Sequence, residues 1–209
     1  MDPADPALAL SRRLRAAVHD ERVLEAIASV PRDRFVPADE RGRAYENVAL
    51  GIDCGQTISQ PIVVARMLEL LELSPADRVL DVGTGSGYHA ALLSRLAAEV
   101  WTIERHPELA ASAQAALSAL GMGNVTCLVA DGCEGLAERA PFDAINVAAA
   151  IAGALPPALE RQLAPGGRIV APMGSERQHL VRVRRTEGGL VREDLDPVRF
   201  VPLVRDAES

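Results

Sequence analysis

Apolar residues recur at helical spacing from about Ala7 to Val30, through Leu8, Leu14, Val18, Val23, Leu24 and Ile27, and Pro31 then stops the pattern. Residues 31–53 read as a long connection, pinned to the core by Phe35, Val36 and Tyr45. A helix is expected from Pro61 to about Leu73, followed by the turn SPAD. From there the period alternates. RVLDVG (78–83) is a short strand entering a glycine turn and YHAALLSRLA a helix. EVWTIE (99–104) is a second strand, and a helix runs from Pro107 to Leu120, where Gly121 ends it. VTCLVAD (125–131), DAINVAAA (143–150) and GRIVAPM (167–173) are three further strands, the helix PPALERQL lying before the last of them. This alternation predicts an α/β fold: a doubly wound, mostly parallel sheet with helices on both faces. The tail alternates around Gly188-Gly189, which predicts a closing hairpin or a pair of edge strands. One domain over 1–209 is expected, with a helical, cleft-forming extension at 1–75, a core at 76–175 and C-terminal edge strands at 176–209.

Composition narrows the class. The net charge is −7, and all 22 basic residues are arginine, which disfavours broad binding to nucleic acid or to an anionic membrane. Cys54, Cys127 and Cys133 are odd in number and lack metal-like spacing, which fits a reducing compartment rather than a disulfide or zinc framework. The stretch MDPADPALAL lacks the basic head and long apolar run of a signal peptide. A cytoplasmic protein is expected.

The glycine turn carries the first chemistry. DVGTGSGYHA places Gly83, Gly85 and Gly87 between a strand and a helix, where glycine lets the backbone approach a ligand beside helix N–H groups. A dinucleotide site wants G-x-G-x-x-G, but the sixth position here is Tyr88. Three acids sharpen the picture. Asp81 precedes the turn, Glu104 ends the second strand where a carboxylate takes ribose hydroxyls, and Asp131-Gly132 ends the third strand. Each acid alone has a plainer reading: Asp131 could brace the Gly132 turn, and Glu104 could cap the helix at Pro107. Together they face one crevice, and that much negative charge suits a sulfonium nucleoside better than a pyrophosphate. The pattern resembles the S-adenosyl-L-methionine-dependent methyltransferases with a Rossmann-like core.

The stretch CGQTISQP (54–61) holds hydroxyls, amides and a thiol, with no acid or histidine. By itself Ser59 reads as a cap for the helix at Pro61. The blocks VPRDRFVP (30–37), GQTISQP (55–61), VLDVGTGSGYHAA (79–91), TIER (102–105), APFDAI (140–145), RQLAPGGRIVAPMG (161–174) and RFVPL (199–203) resemble, in order, the protein-L-isoaspartate O-methyltransferases. That resemblance implies methylation of the free α-carboxylate of L-isoaspartyl residues, with repair through a succinimide. It implies S-adenosyl-L-methionine as cofactor and S-adenosyl-L-homocysteine as product. It makes Ser59 the active-site serine with Thr57 beside it, and places Gln56, Ile58, Asp81, Gly83, Gly85, Gly87, Glu104, Asp131 and Gly132 on the cofactor. The RFVPL and VPRDRFVP segments are implied to form the peptide cleft. A carboxylate is already ionised at pH 7 and needs no general base, which explains a motif without one.

The chain departs from the family at INVAAA, where Asn146 puts an amide into a buried strand and Ala148 removes a hydroxyl near the cleft. Gly51 and Cys133 are departures too. The four histidines are assigned no catalytic role, and most are expected on the surface. Expected partners are isoaspartyl proteins and peptides, with no nucleic acid, no membrane and no metal, and the protein is expected to be a monomer. A methyltransferase for one dedicated peptide, a nucleic-acid methyltransferase and a non-catalytic cofactor-binding module are the rivals.

Overall fold

Seven strands in the order β5-β4-β3-β6-β7-β8-β9 form the central sheet of the computed structural model, which describes residues 5–205. The first four residues of MDPADPALAL lie outside the described residues. β3 (Arg78–Val82), β4 (Glu99–Glu104), β5 (Val125–Val129), β6 (Phe142–Val147) and β7 (Leu163–Met173) run parallel. β8 (Gln178–Thr186) and β9 (Gly189–Val198) close the edge as an antiparallel hairpin, as the tail pattern predicts. The chain winds from β3 toward β5, then returns to β6 on the other side. The crevice beyond the ends of β3 and β6 is therefore the topological switch point, where open α/β sheets take ligands.

Alternate residues of each strand enter two cores. Val79, Val100, Ala144 and Val170 pack with α1 (Pro6–Leu14), α2 (Glu21–Ser29), α3 (Pro61–Leu71) and α4 (Tyr88–Ser94). Leu80, Trp101, Ile145 and Ile169 face the opposite way, onto Leu155 and Leu159, the latter on α6 (Pro157–Gln162). α5 (Pro107–Ala119) follows β4, its first turn opened by a proline whose missing N–H has no intrahelical partner anyway. No helix among the described residues is long and apolar enough to cross a membrane.

Three expectations are corrected. The apolar pattern of 7–30 is two helices, because Asp20 caps a new one by accepting from the amides of Arg22 and Val23. The end of the connection pairs with the stretch that follows it in a small ribbon, β1 (Leu50–Gly51) against β2 (Thr57–Ile58), too short to leave a periodicity. β7 begins at Leu163, upstream of Gly167. The sheet's rim is tied by Arg168, whose guanidinium donates to Leu71 O, Glu72 O and Asp143 O and pairs with Asp77.

Candidate active site

The glycine turn leaves β3 with positive φ at Gly83 (+90°), Gly85 (+52°) and Gly87 (+89°). Its amides are held from the next strand: Gly83 N and Thr84 N donate to Ile103 O, and Gly85 N donates to Glu104 Oε2 at 2.9 Å. Gly87 lies under the turn rather than on the ligand side. A Cβ there would come within 3.1 Å of Ala113 Cβ on α5, so this glycine lets helix and turn pack closely.

Above the turn lies a crevice of about 260 Å3 lined by Gln56, Thr57, Gly83, Gly85, Glu104 and Gly132, among others. Glu104 is buried, with Oε1 accepting from His106 N and Oε2 from Gly85 N, so its carboxylate is rigidly set at the crevice wall. Gly132 closes the far side; a Cβ there would meet Val82 Cγ1 at 2.6 Å. The side chain of Asp131 accepts from Cys133 N at 2.7 Å and shapes this turn. Val201, Pro202 and Leu203 return from the C-terminal tail to roof the crevice, held by Ala150 N donating to Val201 O and Leu203 N to Ala150 O. Sequence reasoning assigned RFVPL to the peptide cleft, by resemblance, and had no signal for its second face on this crevice.

Asp81 sits beneath the turn, fully buried, accepting from Thr102 Oγ1 and from Asn146 Nδ2, each at 2.7 Å. Burial pushes its carboxyl up to about 6, the two hydrogen bonds pulling back and Glu104 adding to the rise. Its folded pKa lies above the unfolded value, so the stability tied to this group is present below about pH 4. It is lost as pH rises through about 6. Replacing Asp81→Asn is therefore expected to raise the melting temperature at pH 7–8, by about 2–3 kcal/mol of stability. Asn146 Oδ1, buried and unpartnered, can rotate in to accept from the new amide. Thermal melts between pH 4 and 8 check this: the gain should shrink toward pH 4.

A second depression, an open groove lined by Ser59, Gln60, Val63, Arg199 and Phe200, adjoins the crevice. Thr57 and Val201 line both. The β1–β2 ribbon aims Thr57 through the pairing Gly51↔Thr57. Ile58 is buried behind it. At the start of α3 the Ile62 amide is taken by Asn47 Oδ1, so that donor does not depend on Ser59.

Two buried groups behind Ser59 were missed. Arg32 is completely buried, donates to Ala44 O and Ser59 O, and stacks over Tyr88 at 4.9 Å. Burial lowers its pKa to about 10, so it stays a cation at pH 7. His89, one of the four unassigned histidines, is not on the surface. Burial and the Arg32 charge push it down to about 4, which leaves a neutral imidazole. Neither carries a local signal, since only the packing of α4 against the segment around Arg32 buries them.

The chain matches the model of the family described as protein-L-isoaspartate(D-aspartate) O-methyltransferase (PCMT) over residues 6–208. A protein-L-isoaspartate O-methyltransferase of Koribacter versatilis (strain Ellin345) is 54% identical over 202 residues, which is 96% of this chain and 90% of that one. One from Roseiflexus castenholzii (strain DSM 13941 / HLO8) is 54% identical over 192 residues, 91% and 88% of the two chains. The crystal structure of a Plasmodium falciparum beta-aspartate methyltransferase (PCMT) in complex with S-adenosyl-L-homocysteine superposes with a TM-score of 0.84. It is 25% identical, over 96% of this chain and 99% of that one.

Proposed function

The chain belongs to the protein-L-isoaspartate(D-aspartate) O-methyltransferase family, and from that premise we propose which of its residues carry the reaction. It is an S-adenosyl-L-methionine-dependent methyltransferase acting on L-isoaspartyl residues of proteins, and the methyl ester it makes leads to repair through a succinimide. The crevice fits the cofactor: a glycine turn whose positive φ at Gly83 and Gly85 brings bare backbone to its wall, and a fixed carboxylate at Glu104 for ribose hydroxyls. Gln56, Gly83, Gly85, Glu104 and Gly132 would hold it, with Ile58 packed behind Thr57 and Asp81, Gly87 and Asp131 shaping the turns from behind. When bound, the cofactor supplies a sulfonium methyl.

Ser59 and Thr57 orient the accepting carboxylate. The observation that carries this is Thr57, shared by crevice and groove, with Ser59 on the groove side next to it. The substrate carboxylate is ionised at pH 7, so the residues need only align it, and alignment alone supplies several kcal/mol. Neutral hydroxyls donate hydrogen bonds without the tight ion pair that would quench a nucleophile. Arg199, the one charged side chain lining the groove among the described residues, adds attraction for an anionic peptide on a chain of net charge −7. In this reading 1–209 acts as one domain, 1–75 and 176–209 building the acceptor groove and 76–175 most of the cofactor site. It acts as a cytoplasmic monomer, with proteins and peptides as partners and no role for nucleic acid or membrane.

The test is methyl transfer from labelled cofactor to two peptides differing only in an isoaspartyl or aspartyl linkage. Base-labile label on the isoaspartyl peptide alone is expected; equal labelling of both would remove the linkage specificity from this groove.

A further inference from the structure

Between the crevice and the acceptor groove lies a small recess of about 30 Å3, lined by Thr57, Ser59, Thr84, Ser86 and His89 among others. That exceeds the roughly 10–15 Å3 of probe volume that one water molecule needs. His89 Nε2 is buried and has no hydrogen-bond partner. An unpaired buried polar nitrogen is destabilising, and a water needs two to four polar partners to settle in a cavity. His89, Thr57, Ser59 and Ser86, which line the recess, carry groups of that kind. Thr84 Oγ1 is already engaged with Thr102 Oγ1 at 2.7 Å.

We propose that His89 is a positioning residue for methyl transfer, its Nε2 holding one water that hydrogen-bonds Ser59 Oγ and turns the serine proton toward the accepting carboxylate. This rests on the orienting role given to Ser59 above. A serine hydroxyl has one proton and two lone pairs. When Oγ accepts from a water in the cavity, its own proton is left to point into the groove, where the substrate carboxylate lies. The neutral state of His89 suits the task, because an imidazolium there would compete for the carboxylate. Nothing is transferred through His89, and the water neither gains nor loses a proton.

The experiment is a double-mutant cycle of His89→Leu and Ser59→Ala, read as kcat and peptide KM. It is joined by calorimetric binding of S-adenosyl-L-homocysteine and a crystal structure of the wild-type complex. Ordered water within hydrogen-bond distance of both His89 Nε2 and Ser59 Oγ is expected. His89→Leu should lower kcat about tenfold, with product affinity and melting temperature held, since leucine keeps the buried volume and only the water's partner is lost. In the Ser59→Ala background it should cost nothing more. His89→Gln, which keeps a polar atom and serves if the leucine variant does not fold, should recover part of the rate. Additive losses, an unchanged kcat, no water in the cavity or weakened product binding would each overturn the proposal, the last by making His89 a cofactor contact. A silent Ser59→Ala would instead bring down the role of Ser59 itself, and this proposal with it.

Discussion

Ser59→Ala is expected to lower kcat about 10²-fold, with stability changed by less than about 1 kcal/mol, since misplacing a reacting group by an ångström costs about that factor. The backbone at this position is held independently of the hydroxyl. Arg32 Nη2 donates to Ser59 O at 2.9 Å, and α3 begins two residues on, with its Ile62 amide bonded to Asn47. The substitution therefore removes a donor from the groove and leaves the chain in place. Steady-state rates on an isoaspartyl peptide, beside a thermal melt, separate the two effects. A folded variant with unchanged turnover would return Ser59 to a local role at the head of α3.

The largest loss of stability is expected from Arg168→Met. Arg168 is buried and bonds three carbonyls, Leu71 O, Glu72 O and Asp143 O, while pairing with the equally buried Asp77. Asp77 also accepts from Ser74 N, and its backbone carbonyl takes the amides of Ala98 and Glu99 at the entry to β4. Methionine keeps most of the volume but leaves a buried carboxylate without its cation. Breaking one partner of such a pair costs about 3–5 kcal/mol. For a chain of this size that lowers the melting temperature by roughly 6–20 °C. Thermal and urea melts check it, and a shift below about 2 °C would mean that Asp77 finds water instead. The double variant Arg168→Met with Asp77→Leu should recover part of the loss, because it removes the stranded charge.

Local pattern was enough for much of the frame. β4 occupies 99–104 as read from EVWTIE, since a strand buried on both faces shows as an apolar run between turn signals. The glycine turn and the helix after it were legible because positive φ and a proline- or glycine-marked boundary are demands of the backbone itself. The break between α1 and α2 was hidden, because both helices present apolar faces to one core and a spacing pattern runs across the gap. Asn146, noted as out of place in an apolar strand, has its reason in a register contact, directly opposite Asp81 on the neighbouring strand.

The sequence by itself determined the alternation of strands and helices, the glycine turn at 83–87, and through the blocks around GQTISQP and RFVPL the family chemistry. These are short-range properties, carried by residues close together in the chain. Only the tertiary structure decided that the tail roofs the crevice above the glycine turn, that Thr57 borders both crevice and groove, and that Arg32 and His89 lie buried behind Ser59. Each of those depends on segments far apart in sequence, such as Arg32 and Ser59 or Ala150 and Val201, meeting across the core. Burial and partnership belong to the space between elements, and no run of residues carries them alone.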